Sequence, residues 1–144
     1  IRVSRQSYAK RLKVGAVFVS VDGIVAIGYN GTPAGWDNEC EDKVWVNDQL
    51  RGDEIWDEQS QQYYRLVTKP EVLHAEQNVL HKTMKCGLST KNGNMFITVA
   101  PCIECAKLIV GAGIKNVFYN KVYRSDEGIA YLQNHKVLVE KSSV

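Results

Sequence analysis

Short apolar runs separated by turn signals dominate the hydrophobic pattern of the chain. Residues 14–19 form a continuous apolar run typical of a strand buried on both faces, and residues 24–29 form a second one. Asp22-Gly23 between them is a tight-turn signal, so the two runs predict an antiparallel hairpin. Three further strands are predicted over residues 95–99, 115–119 and 137–139.

Helical spacing of apolar residues predicts the remaining elements. They are the end of an N-terminal helix within residues 2–12 and helices over roughly 53–67, 71–86, 102–111 and 126–134. Pro70 is expected to open the helix that follows it, and Gly111-Ala112-Gly113 is a natural helix stop. The repeated strand–helix–strand order predicts right-handed crossovers and an α/β fold whose partly parallel sheet is covered on both faces.

The composition of the chain limits the classes of partner that it can have. The chain has 144 residues, of which 44% are hydrophobic, so we expect one domain over 1–144. A formal charge of +2 gives little support to a polyanion binder, and no apolar run reaches the ~18 residues of a membrane span. We therefore expect neither nucleic acid nor membrane as a partner. Because the chain starts at Ile1 without Met, we expect that its natural N-terminus is missing.

The cysteine pattern favours a reduced, cytoplasmic protein. There are four cysteines, and their spacing does not suggest the disulfide framework of a small secreted domain. Cys40 and Cys86 have no clustered His or Cys partner in sequence, so we interpret both as packing or incidental thiols.

Two short stretches carry the candidate chemistry: His74-Ala75-Glu76 and Pro101-Cys102-Ile103-Glu104-Cys105. Together they offer three N/S ligands with no obvious fourth, which is what a catalytic zinc site needs. The open position then holds water, whose pKa the metal lowers towards ~7. Glu76 is placed where a proton carrier is wanted. Because Cys102 and Cys105 share the first turn of a predicted helix, the helix dipole favours thiolate there.

Each stretch alone has a simpler interpretation. Cys-x-x-Cys is also found in redox pairs and in structural zinc sites, and Glu76 is also an ordinary first-turn acid stabilised by the helix dipole. In this order, however, the two stretches form the H-x-E…P-C-x-x-C signature of zinc-dependent nucleobase deaminases. The combination therefore favours hydrolytic deamination.

Beyond this signature, the whole chain resembles the deoxycytidylate (dCMP) deaminase family. The matching stretches are Val14-Gly15-Ala16-Val17, Gly28-Tyr29-Asn30-Gly31-Thr32-Pro33-Ala34-Gly35, His74-Ala75-Glu76-Gln77-Asn78, Pro101-Cys102-Ile103-Glu104-Cys105-Ala106-Lys107 and Ala112-Gly113-Ile114-Lys115. The loop at 28–35 and Asn78 are the more specific of these matches.

The resemblance implies conversion of dCMP to dUMP and ammonia, which feeds thymidylate synthesis. It also implies the cytidine-deaminase fold, a three-layer α/β/α arrangement with a mixed five-stranded sheet, and a homohexamer. Family members are commonly activated by dCTP and inhibited by dTTP, with Mg²⁺ on the triphosphate.

Carried over by position, the resemblance makes His74, Cys102 and Cys105 zinc ligands and Glu76 the proton shuttle. It implies substrate contacts at Asn30 (the deoxyribose hydroxyl), Ala75 and Tyr123 (the pyrimidine), and a separate effector site at Gly28, Tyr29, Gly31, Thr32 and Lys85. From the residues alone, Asn30 also suits a turn and Tyr123 also suits a half-buried loop. For the 5′-phosphate, four basic residues compete: Arg11, Lys13, Lys121 and Arg124.

The chain departs from some relatives at two places. Certain phage-type members carry a second zinc site, but Tyr8 occupies the approximate position of its Cys and residues 36–73 contain no His. Gln77 replaces the more usual Leu after the Glu, a change expected to affect packing more than chemistry.

Three alternatives stay open from the sequence. A tRNA adenosine deaminase shares the metal motif but calls for a basic, aromatic-bearing surface. A deaminase of another pyrimidine nucleoside or nucleotide is compatible, because the motif does not encode the number of phosphates. A structural zinc domain or nucleotide sensor predicts the loss of Glu76, which is present.

Overall fold

The computed structural model describes residues 1–143, which form a mixed five-stranded sheet, a smaller three-stranded sheet and three helices. The elements are β1 (Gly15–Val19), β2 (Val25–Tyr29), β3 (Glu41–Trp45), β4 (Ile55–Asp57), β5 (Gln62–Thr68), α1 (Ala75–Lys85), β6 (Asn94–Val99), α2 (Ile103–Gly111), β7 (Asn116–Lys121), α3 (Glu127–Asn134) and β8 (Leu138–Lys141). The predicted α/β fold with a mixed five-stranded sheet is confirmed.

The main sheet has the strand order β2-β1-β6-β7-β8. Strand β1 runs antiparallel to both β2 and β6, whereas β6, β7 and β8 are mutually parallel. The β1–β2 hairpin turns at Gly23, whose φ of 83° is readily adopted only by glycine. The hairpin predicted from Asp22-Gly23 is therefore confirmed.

All three helices lie on one face of the main sheet. Val79 of α1, Ile109 of α2 and Leu132 of α3 join a single core cluster with Phe18 and Met95 of the sheet. The physical reason is the order of the crossovers. The chain moves in one direction across the sheet from β2 to β6, β7 and β8, so right-handed connections place each helix on the same side.

The expectation of helices over both faces is therefore wrong for residues 1–143. On the opposite face, Phe96 and Phe118 stack with ring centroids 4.9 Å apart, and Phe96 stays exposed. No helix among these residues is long and apolar enough to cross a membrane.

The predicted N-terminal helix is also wrong. Only Ser4–Gln6 form a single 3-10 turn, and the chain then runs irregularly into β1. Two distant side chains hold this segment. The Glu41 carboxylate accepts the backbone N–H groups of Lys10 and Arg11, and the Asn30 side chain binds the backbone of Leu12 and Val14. These bonds occupy backbone groups that a helix would need.

The helix predicted over 53–67 is replaced by β4 and β5, which pair antiparallel and join β3 in the second sheet. Its order is β3-β5-β4. The apolar residues that suggested a helical face include Tyr63 and Val67, which belong to a stretch rich in aromatic and β-branched residues. Such residues pack well on a pleated surface, and cross-strand pairing outweighed the helical spacing.

The two helices that carry the motifs begin later than predicted. Pro70 does not open α1, because Leu73 pairs with Gly31 through two backbone hydrogen bonds of 2.8 and 3.1 Å. Helix α1 consequently begins at Ala75, with His74 as its extended N-cap, and α2 begins at Ile103, with Cys102 as its N-cap.

Candidate metal centre and active site

The N-terminal ends of α1 and α2 bring three candidate ligands together. His74 lies at the N-cap of α1, Cys102 at the N-cap of α2 and Cys105 in the first turn of α2. The His74 Nδ1 atom is 3.3 Å from Cys105 Sγ and 3.6 Å from Cys102 Sγ. All the ligand atoms lie within 4.8 Å of one another.

These distances fit a tetrahedral zinc ion. Zn–S and Zn–N bonds of about 2.3 and 2.0–2.1 Å at tetrahedral angles put a nitrogen and a sulfur ligand about 3.5 Å apart. The observed distances of 3.3 and 3.6 Å bracket that value. The donor set of one imidazole and two thiols is also one that zinc prefers. The residues present therefore fit the metal.

Hydrogen bonds within the cluster shift the pKa values of its two thiols in opposite directions. Hydrogen bonds from Cys105 and His74 lower the pKa of Cys102 to about 3. The same hydrogen bond to Cys102 raises the pKa of Cys105, and burial raises it further. The hydrogen bond to Cys102 likewise raises the pKa of His74, against the opposing effect of burial. Of the two thiols, Cys102 thus gives up its proton more readily, and both are thiolates when they bind a metal ion.

Glu76 lies beside this cluster in the first turn of α1 and is only 4% exposed. Burial raises the pKa of its carboxyl group to about 7, and a backbone hydrogen bond and the charge on His74 offset only part of that rise. A carboxyl group with a pKa near neutrality can both accept and release a proton under working conditions.

The metal cluster and Glu76 open into a cavity of about 370 Å³. The three residues predicted to contact substrate, Asn30, Ala75 and Tyr123, all line it. Of the four candidates for phosphate binding, Arg11 and Arg124 line the cavity, whereas Lys13 and Lys121 are not among its lining residues in the part of the chain described. The fold thus brings together the predicted metal, acid–base and substrate residues.

A family model described as the cytidine and deoxycytidylate deaminase zinc-binding region matches residues 1–121. The chain belongs to the cytidine and deoxycytidylate deaminase family.

Two similar proteins are deoxycytidylate deaminases. The chain is 38% identical over 122 residues to the deoxycytidylate deaminase of Homo sapiens, a match that covers 82% of this chain and 59% of the human protein. It is 30% identical over 142 residues to the deoxycytidylate deaminase of Enterobacteria phage T4, covering 84% of this chain and 73% of the phage protein. The chain therefore spans less than two thirds of the human relative's length.

One solved structure is similar over nearly the whole chain. It is a dCMP deaminase from the cyanophage S-TIM5 in complex with dCMP and dUMP, with 38% sequence identity and a TM-score of 0.77. The match covers 98% of this chain and 89% of the cyanophage chain.

Two of the substrate candidates of this family member already have partners in the protein. Asn30 Oδ1 accepts the Val14 N–H and its Nδ2 donates to the Leu12 carbonyl, each at 2.8 Å. Asn30 therefore anchors the start of β1, and its contact with deoxyribose stays a prediction. Tyr123 is 44% exposed, and the Arg124 guanidinium lies 5.0 Å from its ring centroid.

The predicted effector residues do not form one cluster within the chain. Gly28 and Tyr29 belong to β2 rather than to a loop, and a Cβ on Gly28 would lie 2.6 Å from the Val79 backbone nitrogen. Gly28 is thus required for the close approach of β2 to α1. Gly31 pairs with Leu73, just before α1 begins at Ala75, whereas Lys85 is the last residue of α1. The two ends of this helix are about 15 Å apart at a rise of 1.5 Å per residue.

The Thr32 hydroxyl donates to the Asp37 carbonyl at 2.5 Å, which closes the loop on itself. The effector role of these residues stays a prediction.

Sequence reasoning missed several residues that build the site. Gln77 was expected to alter packing, but its Oε1 accepts the His74 N–H at 2.7 Å and so caps α1 at a candidate metal ligand. The spacing of a polar acceptor three residues after the N-cap was a signal for this role. Asn78 Nδ2 donates to the Tyr29 carbonyl at 2.8 Å and ties α1 to β2. Gly128 and Glu41, in contrast, are placed at the cavity by long-range packing and had no local signal.

Proposed function

We propose that this protein catalyses the zinc-dependent hydrolytic deamination of dCMP to dUMP and ammonia. The observation that carries the proposal is a three-ligand cluster of His74, Cys102 and Cys105 that opens, beside the buried carboxyl group of Glu76, into a ligand-sized cavity. The similarity to a dCMP deaminase solved with dCMP and dUMP supports the choice of nucleotide.

His74, Cys102 and Cys105 would hold the metal, and no fourth protein ligand joins their cluster among residues 1–143. When bound, zinc supplies an acidified water, because it lowers the pKa of a ligated water towards ~7. The protein contributes the geometry. His74 and Cys102 are helix N-caps, so their positions follow from α1 and α2, which pack in the common core.

Glu76 would carry the proton through the reaction. Its carboxylate accepts a proton from the attacking water and delivers it to N3 of the cytosine ring as C4 is attacked. It then assists transfer of a proton to the amino group, which leaves as ammonia. The net change adds one water to dCMP and releases dUMP and ammonia. Burial raises the pKa of the Glu76 carboxyl group above its ordinary value, which favours its acting as a proton donor as well as an acceptor.

Other cavity residues would orient the nucleotide. The Tyr123 ring would offer a surface on which the pyrimidine can pack, and Asn30, which lines the same cavity, would contact the deoxyribose. Arg11 and Arg124 are the two cavity-lining guanidinium groups, and each can bind a phosphate through two parallel hydrogen bonds.

The substrate is tested by measuring ammonia release from dCMP, cytidine, deoxycytidine and dCTP in parallel with zinc-loaded protein. We expect a clear preference for dCMP in kcat/KM. Preference for another of these compounds would place the protein among deaminases of other pyrimidine nucleosides or nucleotides. The absence of ammonia release from all four compounds would contradict the proposal.

Glu76→Gln tests the proton carrier. We expect kcat on dCMP to fall about 10²–10⁴-fold, because an amide cannot shuttle a proton. Bound zinc, measured by atomic emission, should stay at the wild-type level. Glu104→Gln is the matched control, because Glu104 lies between the two cysteines but its side chain is 72% exposed and pairs with Lys107. Near wild-type turnover by Glu76→Gln would exclude Glu76 as the shuttle.

Regulation and assembly are the finer part of the proposal. Activation by dCTP, inhibition by dTTP with Mg²⁺, a homohexamer, a cytoplasmic location and a link to thymidylate synthesis are all supported by the family resemblance. The regulatory claim is tested with millimolar dTTP and Mg²⁺, which should inhibit turnover and raise Tm, because a ligand of the folded state stabilises it. An unchanged rate and Tm would contradict the regulatory claim. Sedimentation of the protein tests the hexamer.

A further inference from the structure

Gln77, in the first turn of α1, is bonded to the backbone of the candidate metal ligand His74. Its Oε1 atom accepts the His74 N–H at 2.7 Å. The first N–H groups of a helix have no acceptor within the helix, and a side chain three positions after the N-cap can supply one. Leu, the more usual residue after the glutamate in the family, has no such acceptor. The bond is therefore a feature of this particular chain.

Backbone hydrogen bonds, more than packing, hold His74 in place. The residue is exposed, whereas Cys105 is buried in the packing of α2. Its backbone is extended, with φ of −71° and ψ of 157°, so it lies just outside the helix. The His74 carbonyl accepts the Asn78 N–H at 3.0 Å, and Leu73 before it is paired with the loop after β2. The bond to Gln77 completes this set, because it fixes the N–H group of His74 itself.

The affinity of a site for a metal ion depends on the fraction of molecules in which every ligand is in position. A helix end that loses its cap is less stable and opens more often than a capped one. When the first turn of α1 opens, His74 leaves the cluster, and binding of the ion has to order it again. A bond that keeps this turn closed therefore favours metal binding, because less ordering remains to be done when the ion arrives.

We propose that Gln77 is a positioning residue of the metal centre: by capping the backbone of His74, it holds this ligand in place and raises the affinity of the protein for zinc. This inference rests on the proposed function, because it takes His74, Cys102 and Cys105 to bind zinc. Gln77 is not among the residues that line the cavity in the described part of the chain. It would thus act through His74 and not on the substrate.

Zinc affinity with and without the side-chain acceptor tests the proposal. Gln77→Met removes the acceptor but keeps the length of the side chain and a similar helix propensity. The Kd for Zn²⁺ is measured by competition with a chelator, and the Tm of the zinc-free protein is measured beside it. Gln77→Glu keeps an acceptor oxygen, and high ionic strength screens its added charge. Gln133→Met is the matched control, because Gln133 lies in α3 and is exposed.

We expect Gln77→Met to raise the Kd for zinc about tenfold, as is typical when a group that orients a metal ligand is removed. Gln77→Glu and Gln133→Met should stay near the wild-type Kd. The competing explanation is that Gln77 only stabilises the helix. In that case Gln77→Met would lower the Tm of the zinc-free protein and leave the Kd for zinc unchanged.

A wild-type Kd in Gln77→Met would overturn the proposal and leave the proposed function intact. A raised Kd that Gln77→Glu did not restore would also overturn it, because the loss would then not follow from the missing acceptor. If Gln77→Met failed to fold, Gln77→Leu would replace it with the same expected rise in Kd, since Leu is the more usual residue there in the family. Failure of the wild-type protein to bind zinc would overturn both the proposal and the proposed function.

Discussion

A close contact at one glycine couples α3 to the candidate metal site. Gly128 lies in the first turn of α3, and a Cβ there would overlap the carbonyl oxygen of Pro101, the residue before Cys102. Gly128 also lines the cavity. The position of a candidate metal ligand therefore depends on the absence of a side chain on another helix, because backbone atoms cannot move aside as a flexible side chain can.

Gly128→Ala is expected to destabilise the protein by about 1–3 kcal/mol, the usual cost of forcing extra volume into a packed contact. It should also weaken zinc binding, because Cys102 is displaced with Pro101. Urea unfolding and competition with a chelator measure the two effects. Gly111→Ala is the control, since a Cβ at Gly111 of α2 meets nothing within 4 Å. Wild-type zinc affinity in Gly128→Ala would contradict the coupling.

At the scale of elements, the second sheet is held at one end by a charge cluster. Arg65 of β5 binds Glu54 at 2.7 Å and Asp48 at 3.1 Å. Glu54 also accepts the backbone N–H groups of Arg51 and Gly52. The hydrogen bond from the Arg51 backbone, followed by that from Arg65, lowers the pKa of Glu54 from 4.5 to about 2. These bonds join the loop before β4 to the central strand of the sheet.

This pKa shift predicts a pH-dependent contribution to stability. Because the folded pKa lies below the unfolded one, the contribution of Glu54 is fully present above about pH 4.5 and is lost as pH falls towards 2. The difference in free energy of unfolding between wild type and Glu54→Gln should follow that course. Urea unfolding from pH 2 to 7 measures it, with the exposed Glu58→Gln as control. A difference that stays constant with pH would refute the assignment.

At the scale of the whole molecule, the candidate metal site lies where the ends of two helices meet, and both helices pack in one core. Helices α1 and α2 contribute Val79 and Ile109 to the same buried cluster, and their N-terminal ends carry His74 and Cys102. A metal bound there links elements that lie on either side of β6 in sequence. Zinc should therefore stabilise the whole fold as well as supply chemistry.

Removal of zinc by a chelator is expected to lower Tm by about 5–10 °C, on the basis of a free zinc concentration about 100 times Kd and the usual relation between free energy and Tm. Added zinc should restore it. Cys102→Ser should reproduce the loss, whereas Cys86→Ser should not, because Cys86 is exposed and outside the ligand cluster. Calorimetry with metal analysis checks each case, and an unchanged Tm after complete zinc removal would contradict the link.

Structure that depends on neighbouring residues could be predicted from the sequence, whereas structure that depends on distant partners could not. The β1–β2 hairpin could be predicted because Asp22-Gly23 acts on its immediate neighbours. The segments 2–12 and 53–67 could not, because partners distant in the chain decide their conformation. Glu41 holds Lys10 across 31 positions, and β5 forms only by pairing with β3 and β4. Helical spacing of apolar residues carries no information about such partners.

The amino-acid sequence by itself determined the types and spacing of the candidate metal ligands and of Glu76, since these depend on residues two or three positions apart. Only the tertiary structure decided that the N-terminal ends of α1 and α2 meet, that Gly128 makes room for Pro101, and that the Glu41 carboxylate accepts the backbone N–H groups of Lys10 and Arg11. The reason is physical: each of these features arises where segments far apart in sequence pack together, and burial and close contact exist only after that packing.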